Sequence, residues 1–345
     1  MKTIKTEDAV GTVLCHDLTR IVKEQVKETA FRKGHVVREE DIPVLLSIGK
    51  THLFVWDLGE NMVHENDAVT ALYKSANLEG PFAATEAKEG GLHLTADGDG
   101  LFLIDLALLE EFNDDDEMAL VTRQSGVRVK KGDKVASFKI IPLAVEQKKL
   151  DRVEKLLKGK TILAIKPFRP MKAAIVATGS EVFHGRITDT FTPVVEKKLG
   201  EYGIEVIEKT VCDDKIEDIA QAVKKALDLG ANLITCTGGM SVDPDDLTPG
   251  AIKASGAQII TYGSPVMPGA MFLVAYIGDV PVLGLPGCVM FGKMTVFDVL
   301  MPRIAAGLKI TRKEIRRMGH GGLCVSCPQC VFPACGFGRG WPYGL

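Results

Sequence analysis

The chain has 345 residues, 46% hydrophobic and 25% charged, with a formal net charge of -3. Such a length exceeds one ordinary domain, and such a composition is that of a soluble globular protein rather than a disordered or fibrous one. A nearly balanced charge offers nothing to a polyanion, so a nucleic-acid partner is excluded, and no apolar run of about 18 residues is present to span a membrane. The opening "MKTIKTEDAVGTVLCHD" lacks the apolar core of a signal peptide. A cytoplasmic location is expected.

Residues 1–145 read as a β-rich α+β region. "DIPVLLSIGKTHLFVW" predicts a short helix, a glycine turn and a strand, and "EGGLHLTADGDGLFLID" two strands around an Asp-Gly turn. The spacing of Val145, Leu150, Val153 and Leu157 predicts a helix that bridges to the next domain. A linker over 146–170 is therefore expected, closed by the prolines of "IKPFRP". From 171 to 308 the pattern changes. "KAAIVATG", "IEVIEKTVC", "NLITCTGG" and "AQIITYG" are short apolar strands, interleaved with capped amphipathic helices such as "DDKIEDIAQAVKKALDLG". Strand–helix alternation predicts an α/β fold with a doubly wound, mainly parallel sheet, which binds ligands at the carboxyl ends of its strands. "FLVAYIGDVPVLGLPG" reads as a hairpin about Gly278-Asp279, and "VMFGKMTVFDVLMPRIAAG" as one closing helix. Residues 309–345 show no core pattern; they are basic, then rich in Gly, Pro and Cys. Trp56 and Trp341 carry no visible chemistry.

Polar groups gather at the expected strand ends. Thr178, Gly179, Ser180 and Glu181 follow the first strand, with Asp189 before the next helix. Asp213 and Asp214 follow the second strand, and Gly238, Gly239, Ser241, Asp245, Asp246 and Thr248 follow the third. Two further loops, "MPGA" with Pro268 and Gly269 and "GLPGC" with Pro286 and Gly287, add bare backbone. Glycine pairs let N–H groups approach a phosphate, and carboxylates beside them call for a divalent cation, Mg²⁺ by its preference for one or two carboxylates plus phosphate oxygens. An aspartate before a helix serves more often as an N-cap than as a ligand, and that reading stands for Asp189 and Asp214. No P-loop, Rossmann fingerprint or nucleophile elbow is present, which excludes the common kinase, dehydrogenase and hydrolase classes.

Over about 172–307 the ordered motifs "TGSEV…GRITDT", "VCDD", "TGGMSVDPDDLTPGAI", "MPGA" and "GLPGC" resemble the molybdopterin-binding domain. That domain is shared by molybdopterin adenylyltransferases, molybdopterin molybdotransferases and CinA-like proteins. The N-terminal region resembles, more loosely, the molybdotransferase accessory domains. The resemblance implies binding of molybdopterin or the molybdenum cofactor during cofactor biosynthesis, with Mg²⁺-dependent adenylyl or molybdate transfer at the pterin phosphate. It implies Asp213 and Asp246 as catalytic acids, a small pterin or nucleotide as substrate, a homo-oligomer, and a client molybdoenzyme. Two departures stand out: Ala270 replaces the lysine usual in molybdotransferases, and "GLPGCVMF" brings Cys288 and Phe291 where a small hydroxyl residue is usual. A non-enzymatic cofactor carrier is the alternative these departures favour. A metal- or redox-sensing regulator is another, and it rests on the tail.

In that tail the spacing Cys324-x2-Cys327-x2-Cys330-x4-Cys335 suits four thiolates converging on Zn²⁺ or an iron–sulfur cluster. A redox-sensitive, metal-free tail is the competing reading. Cys15, Cys212, Cys236 and Cys288 are scattered and read as reduced structural cysteines.

Overall fold

The computed structural model describes residues 2–22, 26–55 and 61–338; Trp56 and Trp341 lie outside them. An N-terminal unit closes on Leu14, Leu18, Phe31, Val37, Leu45 and Leu53. Strands Lys2–Lys5 and His52–Val55 pair antiparallel across it, and the short helix Ile42–Ser47 forms as its sequence predicts.

A second unit builds two four-stranded sheets around the helices Glu65–Ser75 and Gln147–Leu157. Both strands flanking the Asp-Gly turn exist, as Gly91–Ala96 and Gly100–Ile104, but they do not pair with each other. The first lies between Phe82–Ala84 and Lys134–Ile140, the second between Val127–Val129 and Thr161–Pro167. Their sequences explain the separation. "GLHLTA" alternates and has one outward face, whereas "GLFLI" is apolar throughout and is buried at every residue, as a strand covered on both faces must be.

The expected linker helix is likewise no free bridge. Its stripe of Leu150, Val153 and Leu157 packs into the same core as Phe102, Phe112 and Phe138, and Thr161–Pro167 continues that unit as a strand. The apolar spacing that predicts the helix is what binds it there, so the joint shortens to the segment around Phe168–Met171.

The third unit is the doubly wound sheet. Its strands are β1 (Lys172–Thr178), β2 (Glu205–Cys212), β3 (Leu233–Thr237), β4 (Gln258–Tyr262), β5 (Leu273–Ile277) and β6 (Val280–Leu285). They lie in the order β2-β1-β3-β6-β5-β4, parallel from β2 to β6; β5 alone runs against them, pairing antiparallel with both β6 and β4. Alternate residues face opposite layers. Ala173 and Ile175 of β1 meet α1 (Phe191–Gly200) and α4 (Val296–Ala305). Ala174 and Val176 meet α2 (Ile216–Asp228) and α3 (Thr248–Ala254). Because the chain leaves β1 toward β2 and returns to β3 on the other side, the switch point opens between the carboxyl ends of β1 and β3.

The predicted closing helix is two helices, Cys288–Phe291 and α4. Gly292 is extended, and Thr295 and Asp298 form a capping box that starts α4 afresh. α4 is buried on nearly every face, between the sheet and the second unit. Leu101, Leu103 and Ala164 of that unit share one apolar cluster with Ala306. Arg128 lies over the Tyr202 ring at 4.8 Å.

The tail also differs from expectation. Ile310, Ile315, Met318 and Phe337 join the core beneath α4, and Arg303 pairs with Glu314 at 2.7 Å. The basic residues occupy the outer face of Arg312–Arg317, so its few apolar residues dock without showing a periodic pattern. Among the described residues no helix is long and apolar enough to cross a membrane.

Candidate functional site

β1 ends where Thr178 turns its hydroxyl under the third loop. The Thr178 hydroxyl lies 3.2 Å from that of Thr248, which in turn donates to the Gly238 carbonyl at 2.9 Å. Gly238 and Gly239 both have left-handed backbones, φ +85° and +54°. A Cβ on Gly238 would stand 2.1 Å from the Thr178 carbonyl oxygen, and one on Gly239 would stand 2.8 Å from the Thr248 hydroxyl. The pair is bare because the loop crosses directly over the end of β1. Only the opposite side of these residues is open.

That open side belongs to a cleft of about 490 Å³ lined by Gly238, Gly239, Ser241, Asp246, Ala270, Pro286 and Gly287, with Phe191, Met240, Met271 and Cys288 completing its walls. It sits at the carboxyl ends of β3 and β6, with the start of α1 on its rim. Asp246 is half-buried, and its carboxylate accepts the Asp243 N–H at 3.0 Å. The Tyr262 hydroxyl lies 3.0 Å from the carbonyls of both Met240 and Ser241, and so holds that edge of the cleft. Burial, and then the charge of Asp246, raise the Tyr262 pKa. Burial likewise raises Cys288, which keeps its sulfur a thiol at neutral pH. Among the described residues no lysine, arginine or histidine lines the cleft.

Asp213 is elsewhere. Its carboxylate accepts the Ser180 hydroxyl at 2.7 Å and pairs with Lys215 at 3.0 Å, while Asp214 accepts the Ser180 N–H at 2.7 Å. The bonds from Ser180 and Lys215 to the ionised form bring the Asp213 pKa down to about 2. Asp213 and Asp214 thus tie the turn after β1 to the end of β2, and neither lines the cleft. Asp189 accepts the N–H groups of Phe191 and Thr192 at 2.9 and 3.0 Å, the capping role an aspartate has before a helix. Glu181 and Asp245 are exposed outside the cleft. Gly269 packs on Val296, and Pro268 faces a separate cavity shared with the tail cysteines. Among the described residues no three His, Cys, Asp or Glu side chains are grouped to hold a metal ion.

Of the residues singled out by sequence, the fold therefore brings Gly238, Gly239, Ser241, Asp246, Pro286 and Gly287 together. Thr178 and Thr248 support them from behind. Tyr262, Phe191, Met240 and Met271 carry no sequence signal of a site. Tyr262 ends β4 and Phe191 starts α1, while Met240 and Met271 lie in loops; apolar and aromatic residues in such places read as core until the tertiary arrangement exposes one side of them.

Residues 174–306 match the family described as "Probable molybdopterin binding domain", and residues 3–57 match a domain of unknown function. The chain is similar to a CinA-like protein of Mycobacterium avium (strain 104), 38% identical over 77 residues, which is 22% of this chain and 18% of that protein. It is also similar to a CinA-like protein of Mycobacterium sp. (strain MCS), 36% identical over 90 residues, covering 26% and 21%. The chain thus spans about a fifth of the length of these relatives. Among solved structures it is similar to the molybdopterin biosynthesis enzyme MoaB of Thermus thermophilus, with 18% identity, TM-score 0.33, and 39% of this chain against 91% of that one. The protein CinA of Thermoplasma acidophilum gives 20% identity, TM-score 0.33, and 39% against 98%.

Proposed function

We propose, on the premise that residues 174–306 belong to the molybdopterin-binding family that includes CinA-like proteins, that this chain binds a phosphorylated pterin of the molybdopterin class in the cleft after β3 and β6, as part of molybdenum-cofactor biosynthesis. The observation that carries this reading is the lining of the cleft: among the described residues it offers open glycine backbone at Gly238, Gly239 and Gly287, one carboxylate at Asp246, and no cationic side chain. A phosphate there meets backbone N–H donors and a like-charged carboxylate, an arrangement that becomes attractive once a divalent cation lies between them. Mg²⁺ fits this donor set, because it takes one or two protein carboxylates and fills its remaining positions with substrate phosphate and water. Phe191, Met240 and Met271 supply apolar walls for the flat ring system. Asp246 is the metal-side acid in this reading, and Asp213 is a positioning residue for the turn at Ser180.

Ala270 favours a second reading for the chemistry. Without a cation on that wall, nothing on the side chains neutralises charge developing during molybdate or adenylyl transfer, and a carrier that hands the cofactor to a client enzyme needs none. Titration calorimetry with molybdopterin separates these steps. Binding that needs Mg²⁺ and weakens about tenfold or more in Asp246→Asn, a change of roughly 1.4 kcal/mol, supports the cleft. Pyrophosphate release on adding ATP then marks a transferase, and binding without turnover marks a carrier. Undiminished binding in Asp246→Asn, with or without Mg²⁺, refutes the assignment.

A further inference from the structure

The tail cysteines lie apart from the cleft and take no part in that reading. Cys324, Cys327, Cys330 and Cys335 all line one cavity of about 470 Å³. Two of them are anchored. Cys324 and Cys335 are half-buried against the core beneath α4, and the Cys324 N–H donates to the Met267 carbonyl at 2.8 Å. The other two, Cys327 and Cys330, are exposed on the intervening loop. Among the described residues no N–H group from 325 to 331 donates to a backbone carbonyl, and the loop is tied down by Lys293, whose ammonium donates to the Pro328 carbonyl at 3.1 Å. Around it Phe291, Leu323 and Val325 are 80%, 69% and 78% exposed, an unusual amount of apolar surface for a tail that is otherwise docked.

We propose that these four cysteines form a thiolate-ligated metal centre that is completed when the metal binds. Two fixed and two movable thiols at two- and four-residue gaps suit a site in which binding energy orders the loop, since preformed sites are not required where metal binding and local folding are coupled. As the thiols stand, no three are grouped closely enough to hold an ion. Drawing the loop inward brings Cys327 and Cys330 to the anchored pair and covers the exposed apolar side chains. Each thiol gives its proton to bulk water as its sulfur binds, so four thiolates on one divalent ion leave a charge of -2. Lys293, which lines the cavity, faces that charge. Four thiolates are soft donors and select Zn²⁺ or the irons of an iron–sulfur cluster over Mg²⁺. The loops around Pro268 and Phe291 wall this cavity, and their neighbours Ala270, Met271 and Cys288 wall the pterin cleft, so the centre lies behind the same two loops.

The test uses the full chain, stripped of metal under reductant and titrated anaerobically with Co²⁺. A thiolate-to-cobalt charge-transfer band that saturates at about one ion per chain is expected. It should be lost in the double variant Cys327→Ser/Cys330→Ser, with far-UV circular dichroism unchanged because both positions are exposed. In the unsubstituted chain, adding Zn²⁺ should protect these thiols from alkylation, which reads the site without relying on any variant. Zinc, or iron with acid-labile sulfide, in the anaerobically purified protein then identifies the natural occupant. No band with Co²⁺, or a band and an alkylation pattern indifferent to the double variant and to Zn²⁺, overturns the proposal. Neither outcome depends on whether the cleft binds a pterin.

Discussion

Replacing Gly238 by alanine separates what the fold demands of the glycine loops from what a ligand demands. At φ +85° an L-residue costs roughly 1–2 kcal/mol. The new Cβ would also lie 2.1 Å from the Thr178 carbonyl and 2.7 Å from its hydroxyl, so the end of a central strand must move. Together these put the loss at about 3 kcal/mol, in the range of overpacked or strained sites. For a domain of this size that lowers the thermal midpoint by roughly 6–12 °C. Gly287 is the control: it has φ -52°, and a Cβ there meets nothing within 4 Å. Gly287→Ala should leave stability within about 0.5 kcal/mol or raise it slightly, because alanine restricts the unfolded chain. Its open side is the cleft, so its effect belongs to ligand binding. Thermal unfolding followed by circular dichroism, with calorimetry for the pterin, reads both. A stable Gly238→Ala, or a Gly287→Ala that unfolds early, would refute the argument that packing over Thr178 makes the first glycine obligatory.

Other substitutions test neighbouring links. Asp213 has its folded pKa held at about 2, below the ordinary carboxylate value. Its stabilising effect is therefore complete above about pH 4 and lost as pH falls from there toward 2. Urea midpoints measured down that range should fall less steeply in Asp213→Asn than in the parent chain. Asp298 caps α4 and also pairs with Lys198 at 2.5 Å, with both side chains largely buried, so Asp298→Ala should cost about 3 kcal/mol in a denaturant titration. Tyr262→Phe removes the hydroxyl that holds Met240 and Ser241; about 1 kcal/mol of stability and a weaker pterin affinity should go with it, read by the same two assays.

The α/β domain was legible in the residues because its signals are local. Strand and helix alternate from Lys172 onward, each helix brings its own cap or stop, and the motif order runs through "TGGMSVDPDDLTPGAI" to "GLPGC". The four closely spaced tail cysteines are equally local. What the residues leave open depends on partners distant in the chain. "GLHLTA" and "GLFLI" are neighbours that enter different sheets, because one has a wet face and the other none. The Leu150–Leu157 stripe predicts a helix without saying which core it enters.

The same limit divides the acids. Asp213 and Asp246 read alike as carboxylates after a strand, yet Ser180 and Lys215 take up the first, and only the second reaches the cleft. Gly238 and Gly287 read alike as bare backbone, yet one lies against Thr178 and the other faces open space. Sequence by itself determined which elements form and which residue types stand at the strand ends, since hydrophobic period, capping and turn chemistry act within a few residues. Only the tertiary structure decided which of those residues are consumed in packing and which remain free for a ligand, because that depends on contacts between strands some 60 residues apart, such as Thr178 with Gly238.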